Sequence, residues 1–409
     1  MIDKIKPETI NNLLTEDASL RKANAKVYPL GSNKYHAAIH LGDIHYKDNY
    51  SDNLEQWKDI DLTWSGNRID KAPYILVRDG NVFTVTDKRT GLQSLIELSA
   101  IGTTAITKAA ATAAKVTNLV PNVDFEIIPQ NHQIRFQRTI KTALAAKDAR
   151  FKISGDLPIK YQAYDADGEP VELVTAIVDG VLTETVKEKA GLKYPIKVDP
   201  TLDLTLGASN QDIRVYYNGS AWEANLTATS DRLGYNTANG QKEGVGHYWS
   251  GGPPQGAQID TAYITVMAQY GHSTTTVNAR ITGNKQAVPA VFSNINDYKA
   301  RRGTVVGGEN NNYITTAQVD WDNIPAWTKN TAYNTPEIKT VVQELVNQAG
   351  YNGILASFLD DHDGRTTVAD TRVRYFYSWD VDPAKAPVLH VEYTYFMPRL
   401  AYYFQNIMR

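Results

Sequence analysis

Short segments of alternating apolar and polar residues, separated by turn-forming residues, follow one another along most of this chain. Residues 74–77 and 82–86, for example, flank Asp79-Gly80-Asn81, a sequence typical of a hairpin turn. An alternation with a period of two places successive side chains on opposite faces of a strand. A chain with many such segments is expected to form antiparallel sheets, and we therefore predict a mainly β fold.

One segment near the C-terminus has a different period. Thr335 suits the N-cap of a helix, Pro336 its first position and Gly350 the position after its last turn. The pattern predicts one amphipathic helix over residues 336–349, lying on a sheet. The apolar residues that recur at helical spacing and form its stripe are Ile338, Val341, Val342, Leu345 and Val346.

With 409 residues the chain exceeds the length that one hydrophobic core usually organises, so more than one domain is expected. Pro195 and Pro200 bracket one short strand, which suits a domain boundary near residue 200. We predict an N-terminal β-rich module followed by a jelly-roll-like β-sandwich that carries the helix. The expected segments are an N-terminal arm (1–22), the β-rich module (23–199), the sandwich (200–395) and a C-terminal tail (396–409).

Composition restricts the chemistry. The absence of cysteine excludes disulfides, thiolate metal sites and cysteine nucleophiles. A net charge of -3 gives no overall attraction to nucleic acid, and no apolar run is long enough to predict a membrane span.

The start of the chain lacks the apolar region of a secretory signal, so we expect synthesis in a host cytoplasm without a signal peptide. The 24 tyrosines and 7 tryptophans, against 9 phenylalanines, favour half-buried strands and broad contact surfaces.

The densest acidic cluster is Asp-Asp-His-Asp-Gly at residues 360–364. Asp360, Asp361 and Asp363 could supply carboxylate oxygens to calcium, but the cluster lacks the spacing and the distal glutamate of a calcium loop. We therefore favour a solvated loop, keep calcium as the alternative, and expect no other cofactor. The basic pair Arg301-Arg302 is likewise expected at a solvated strand entry.

Catalytic motifs are missing from the sequence. It contains no nucleophile elbow, no phosphate-binding loop and no zinc-protease motif, and we identify no catalytic residue. Two carboxylates that cleave a glycan can converge in any fold, so a polysaccharide-degrading enzyme stays as a remote alternative. The expectation is a protein that is not an enzyme.

Aromatic side chains suggest a glycan-binding site. Trp249 lies in a glycine-rich segment beside Tyr248, and Trp222 lies in the same half of the chain. Exposed rings of this kind stack on sugar faces. The competing interpretation, which we prefer, is that these tryptophans cap or fill the core of the sandwich.

The C-terminal tail is aromatic and apolar and follows the last expected strand. Either it folds back on its own domain or it docks on another chain, and a water-exposed apolar segment slightly favours docking. The residues expected to make the contact are Phe396, Leu400, Tyr402, Tyr403 and Phe404.

Several stretches resemble known modules. Residues 21–28, 44–48 and 57–62 are similar to the opening of large bacterial surface and repeat-toxin proteins in which a DNRLRE-type β-sandwich follows. Residues 123–127 and 194–202 resemble later landmarks of the same module. The bacterial surface proteins are usually longer and carry signal peptides and repeats, which are features that this sequence lacks.

The second half is similar to a sandwich domain common in phage structural proteins. The matching residues are Val319-Asp-Trp, Trp327, Thr335-Pro-Glu-Ile, Gln343-Glu-Leu-Val-Asn, Gly350-Tyr-Asn-Gly and Ala386-Pro-Val-Leu-His-Val-Glu-Tyr. The resemblance implies a structural protein of a phage virion, in the tail, fibre, neck or capsid-associated layer. Its expected partners are other virion proteins and further copies of itself, and the alternative is a module that binds a host glycan for attachment.

Overall fold

The computed structural model describes fourteen stretches of the chain. They are residues 15–98, 107–108, 114–131, 133–157, 159–167, 171–203, 211–217, 220–236, 241–271, 277–302, 313–360, 366, 372–382 and 384–395. The description that follows is confined to them. As predicted, the fold is mainly β, with several antiparallel sheets.

The chain divides into two compact units, which we call the split module (Met1–Asp43 with Gly207–Arg409) and the inserted module (Ile44–Leu206). The split module opens with a 3₁₀ turn, Ala18–Leu20, and two strands, β1 (Ala25–Gly31) and β2 (Lys34–His40). The predicted boundary near residue 200 lies close to the observed one. The predicted boundary after residue 22 differs, because β1 and β2 belong to the same unit as the C-terminal strands.

The inserted module contains two main sheets. Its strands are β3 (His45–Tyr46), β4 (Lys58–Asp59), β5 (Arg68–Ile69), β6 (Tyr74–Asp79), β7 (Val82–Asp87), β8 (Gln93–Glu97), β9 (Thr107–Lys108), β10 (Ala114–Val120), β11 (Val123–Pro129), β12 (Gln133–Ile140), β13 (Asp148–Gly155), β14 (Ile159–Tyr164), β15 (Leu173–Val178), β16 (Val181–Val186) and β17 (Ile196–Asp203). One sheet has seven strands in the order β15-β16-β13-β8-β7-β6-β5, and the other has six in the order β14-β17-β12-β11-β10-β9. The short strands β3 and β4 pair with each other.

Aromatic pairs join these two sheets. Phe83 of the seven-stranded sheet meets Phe136 of the six-stranded sheet edge to face, with ring centroids 5.9 Å apart. Phe125 and Phe151, again one from each sheet, lie 6.3 Å apart. All four rings are buried in one hydrophobic cluster. The inserted module is therefore a β-sandwich whose core is filled by the inward side chains of alternating strands.

The split module continues after the inserted one. Its remaining elements are β18 (Asp212–Tyr217), β19 (Trp222–Asn225), β20 (Asp231–Asn236), β21 (Gln241–Ser250), β22 (Gln258–Met267), β23 (Val277–Gly283), α1 (Ile295–Arg302), β24 (Val319–Ile324), β25 (Ala332–Asn334), α2 (Lys339–Val346), β26 (Ile354–Asp360), β27 (Arg372–Phe376) and β28 (Val388–Thr394). A five-stranded sheet has the order β1-β2-β28-β22-β25. An eight-stranded sheet has the order β19-β18-β21-β26-β23-β24, with β20 paired to β21 and β27.

These two sheets also face each other. Ile264 and Leu389 of the five-stranded sheet are buried in the same cluster as Val245 and Leu359 of the eight-stranded sheet. The predicted C-terminal sandwich is thereby confirmed, with β1 and β2 as additional strands that the sequence analysis had assigned elsewhere.

Helix α2 confirms the predicted apolar stripe, and its five members are buried. The helix is shorter than predicted because Thr335 does not cap it. The Thr335 hydroxyl instead accepts a hydrogen bond from the Ile264 backbone at 3.0 Å and ties the segment to β22. A Cβ on Gly283 would lie 2.7 Å from Cδ1 of Leu345, so α2 approaches β23 as closely as a glycine allows.

Helix α1 corrects the prediction that residues 301–302 form a solvated strand entry. Tyr298, Arg301 and Arg302 are all buried on this helix. It lacks a regular apolar stripe: Tyr298 packs in a hydrophobic cluster with Phe292 and Phe358, and the polar bonds described below also hold the helix to the sheet. In the part of the chain described here, neither helix has the length and apolarity needed to cross a membrane.

Candidate functional site

Trp249, the best predicted glycan ligand, lies inside the split module. It is fully buried on β21, and its Nε1 donates a hydrogen bond to Oγ of Ser357 on β26 at 3.0 Å. A ring enclosed in this way cannot stack on a sugar, so Trp249 is a core residue, as the preferred interpretation expected, and the glycan-binding alternative for it is corrected. Alternation along β21 explains the placement, since Tyr248 points to the opposite face of the sheet.

Trp222 and Tyr248 both lie on that opposite face, near different ends of β18. Both are partly buried against a cluster that contains Ile213 and Phe292. The ring of Trp222 lies 5.6 Å from that of Tyr217, at an interplanar angle of 45°. Trp222 and Tyr217 therefore form a partly exposed aromatic pair, which we call the Trp222 patch, whereas Tyr248 lies six residues along β21 from Lys242, the residue that pairs with Tyr217.

Asp360, one of the three predicted calcium ligands, is engaged in a buried network. Arg302 reaches its two carboxylate oxygens through Nη2 at 2.9 Å and Nε at 3.1 Å, and Tyr298 donates its hydroxyl to Oδ2 at 2.8 Å. Only 1% of Asp360 is exposed. This corrects the prediction for Asp360, whose oxygens hold α1 on the sheet. Asp361 and Asp363 lie outside the described residues, and within those residues no group of three or more His, Asp or Glu side chains could hold a metal ion.

The five predicted docking residues of the tail also lie outside the described part of the chain: Phe396, Leu400, Tyr402, Tyr403 and Phe404. The prediction for them stays a prediction.

A histidine–aspartate pair is enclosed in the split module. Nε2 of His247 lies 3.2 Å from Oδ2 of Asp231, and neither side chain is more than 1% exposed. Burial lowers the pKa of His247 to about 3 and raises the pKa of Asp231 to about 8. Both shifts favour the uncharged forms of the two groups, which are joined by a hydrogen bond. An enclosed neutral pair suits a core hydrogen bond better than acid–base chemistry on a substrate.

The inserted module exposes an unusual strand at the end of its seven-stranded sheet. Five of the six residues of β15 are exposed. Val174 is 45% exposed, Ile177 55% and Val178 64%. The strand, Leu-Val-Thr-Ala-Ile-Val, carries no charge. Exposed, uncharged end strands of this kind are templates for pairing with another strand.

A tight turn fixes the backbone of this strand. Asp179 and Gly180 have φ values of 51° and 73°, which is the left-handed region that a two-residue hairpin of type I′ requires. The turn pairs Val178 with Val181 of β16, and the register continues without interruption along β15. The strand is therefore held rigidly at the sheet end.

The hairpin register determines which backbone groups point outward. In a two-residue hairpin the closing pair exchanges both of its hydrogen bonds, so Val178, Ala176 and Val174 bond inward to β16. Thr175 and Ile177 then direct their N–H and C=O groups away from the sheet. Within the described residues these groups have no hydrogen-bond partner. We call β15 with these outward groups the β15 edge.

Another end strand of the same length has the protection that β15 lacks. Strand β24, at one end of the eight-stranded sheet, carries Asp320 and Asp322. Its register shifts opposite Val277–Ala279, and Asn323 has a φ of 56°. Charges and irregular backbone prevent an edge from accepting another strand. By this contrast the β15 edge is suited to pairing with a partner strand, whereas β24 is not.

A surface pocket of about 410 Å³ adjoins the opposite end of the same hairpin. The Val186 N–H, at the end of β16, donates to the Lys147 carbonyl at 3.2 Å. Nζ of Lys147 lies 2.7 Å from Glu188, and this carboxylate raises the pKa of Lys147. The mixed charges suit a polar partner surface. The lining residues are Ala143, Lys147, Glu188, Lys189, Ala190, Gly191, Leu192 and Tyr194.

Sequence reasoning missed the β15 edge, although a local signal was present. Residues 173–178 lack both charge and polar alternation, and Asp179-Gly180 follows them directly. The strand's position at a sheet end depends on long-range pairing, which the local pattern does not report.

Comparisons with known proteins give no family. No protein-family model matches the chain, and no curated protein matches it. A GH31 α-xylosidase from Xanthomonas citri aligns at 8% identity over 93% of this chain and 38% of its own length, with a TM-score of 0.09. The N-terminal domain of a Streptococcus gordonii adhesin aligns at 6% identity over 91% of this chain and 92% of its own, with a TM-score of 0.12. Similarity at this level carries no argument about fold or function.

Proposed function

We propose that this chain is a non-enzymatic structural component of a phage virion that acts through protein–protein contacts. The observation that supports contact-based function best is the β15 edge, an exposed and uncharged strand with outward backbone groups. The virion as the location is supported by the sequence resemblance of residues 319–393 to phage structural proteins. The tail, fibre, neck and capsid-associated positions all remain within the proposal.

The buried polar groups are consistent with a structural role. The Arg302–Asp360 and Asp231–His247 pairs are enclosed, and each joins elements of the split module. Such pairs fix the register of packed elements and do not meet a substrate. The proposal therefore assigns recognition to the surface of the chain.

Particle analysis tests this function. Virions purified from cells that express the encoding phage genome should contain the chain at a fixed ratio to the major coat protein, as measured by quantitative mass spectrometry. The V174K/V178K variant places charges on the β15 edge and should lower incorporation at least several-fold. L54K is the matched control, because Leu54 is a 92% exposed apolar residue of the same module. A chain that is abundant in the lysate and absent from particles would contradict the proposal.

The Trp222 patch supports a second candidate, a glycan-binding attachment module. Partly exposed rings of tyrosine and tryptophan offer apolar faces, as sugar-binding surfaces require. Calorimetric titration with host polysaccharide should then give a binding signal that W222A weakens about tenfold or more. W57A is the control, since Trp57 is a partly exposed tryptophan of the other module. An absence of heat across a panel of host glycans would remove this candidate.

A further inference from the structure

We propose that two copies of this chain pair through the β15 edge, with the two β15 strands antiparallel and related by a twofold axis at Ala176. The inference rests on the proposed function because both use the β15 edge as the contact surface. It adds that the partner is a second copy of the chain. A twofold interface uses one patch twice, so the patch must be complementary to itself. Antiparallel strands meet this condition through their backbones alone.

The exposed residues select the register. Exposure is continuous from Val174 to Val178, and Ala176 is the centre of that stretch. With the axis at Ala176, Val174 faces Val178 of the second copy and Thr175 faces Ile177. Thr175 and Ile177 carry the outward backbone groups, so each such pair exchanges two hydrogen bonds. Every exposed residue of the strand then opposes an exposed residue.

Side chains favour the same register. Val174, Ala176 and Val178 share one face of β15. The twofold axis places the same three residues of the second copy beside them on that face. The combined face is a continuous apolar strip of four valines and two alanines. Ile177 and Thr175 of the second copy pair on the other face, and β-branched side chains pack well across strands.

Charge supports a second copy as the occupant. Residues 173–178 carry no charge, so pairing the strand with itself places no like charges opposite each other. The nearest preceding charge is Glu172, and Lys187 of the same hairpin neutralises it at 2.5 Å. A charged partner strand would find no opposite charge on this edge with which to pair.

Charge substitution tests both the pairing and its register. Sedimentation equilibrium of the full chain should give a dimer whose mass falls to that of a monomer in V174K/V178K, where lysine opposes lysine twice. V174E/V178K should restore the dimer, because the substituted positions 174 and 178 then bring glutamate opposite lysine at both ends. V288K is the control, since Val288 is 57% exposed in the split module. A dimer that is unchanged in V174K/V178K, or a wild-type chain that stays monomeric at all concentrations, would overturn the inference.

Cross-linking gives an independent measure, since the chain contains no cysteine. The two Ala176 residues face each other as a non-hydrogen-bonded pair, whose Cα atoms lie about 4.5 Å apart, within the range of a disulfide. A176C should therefore form a covalent dimer on mild oxidation, whereas T63C, an exposed residue of the same module, should not. A covalent dimer in T175C but not in A176C would overturn the register.

The two proposals fail separately. A monomeric chain that is incorporated into virions and loses incorporation in V174K/V178K would overturn self-pairing and leave the structural function standing, with another virion protein on the edge. A chain that dimerises through β15 but is absent from purified virions would overturn the virion function and leave self-pairing standing.

Discussion

Each of the two modules encloses an arginine–carboxylate pair, but the two pairs are bonded to different degrees. In the split module, Asp360 accepts two hydrogen bonds from Arg302, at 2.9 and 3.1 Å, and a third from Tyr298 at 2.8 Å. In the inserted module, Nη2 of Arg138 lies 3.6 Å from Glu184. Neither carboxylate oxygen of Glu184 accepts a hydrogen bond from any described residue.

Burial does not explain the difference, since none of these four charged side chains is more than 3% exposed. What differs is the number of hydrogen bonds that compensate for lost water. Burial raises the pKa of Glu184 to about 7, and the positive charge of Arg138 offsets only part of this effect. Burial also lowers the pKa of Arg138. The bonded pair therefore acts as a structural clamp, whereas the poorly bonded pair responds to pH.

The largest expected effect is the loss of the clamp. R302M removes both hydrogen bonds that Arg302 makes to the buried Asp360, and breaking a buried ion pair in this way costs about 3–5 kcal/mol of unfolding free energy. Hydrogen exchange of peptides from α1 and β26, measured by mass spectrometry, reports this loss in the split module. R138M should cost less in the inserted module, because Arg138 makes fewer bonds there. Equal losses for the two variants would mean that the number of hydrogen bonds does not set the contribution of such a pair.

The second prediction concerns pH. The ordinary pKa of Glu184 is 4.5 and its folded value is about 7, so folding takes up a proton between these values. This group's contribution to the stability of the inserted module is therefore fully present below pH 4.5 and is lost as pH rises toward 7. The expected slope is on the order of 1 kcal/mol per pH unit.

E184Q is the matched variant for this measurement, because glutamine keeps the shape of the side chain and does not titrate in the window. Denaturant unfolding at pH 4.5, 5.5 and 6.5 should show the stability of the wild type falling relative to E184Q. Parallel pH profiles for the two proteins would mean that Glu184 is better solvated than its enclosed position implies.

How far the sequence predicted the fold depends on the range of the interactions. The period of the apolar residues predicted the strands and the α2 stripe, because alternation and helical spacing are local properties. It did not predict α1, since the buried Arg302 is compensated by Asp360, which lies far away in the sequence. The pairing of β2 with β28 joins residues still farther apart in the sequence, which is why the first boundary was misplaced.

The candidate site divides in the same way. Residue type alone suggested Trp249 as a ligand, although the alternation of β21 already separates Trp249 from Tyr248. The β15 edge has a local signal in its uncharged sequence, yet its exposure depends on which strands occupy the rest of the sheet. Local patterns thus identify strands, and only the assembled sheet identifies its ends.

The smallest expected effect comes from an exposed pair with good geometry, which separates hydrogen bonding from burial. Arg280 reaches both oxygens of Asp320 on the β24 edge, at 2.8 and 3.4 Å, but the Asp320 side chain is 42% exposed. Water solvates both charges when the pair breaks, so D320N should cost less than about 1 kcal/mol. The cost should shrink further in 1 M salt, where screening acts over about 3 Å. If D320N lowered the unfolding free energy as much as R302M, bond geometry alone would set the energy of such pairs. Burial would then contribute nothing to the stabilisation by the Arg302–Asp360 pair.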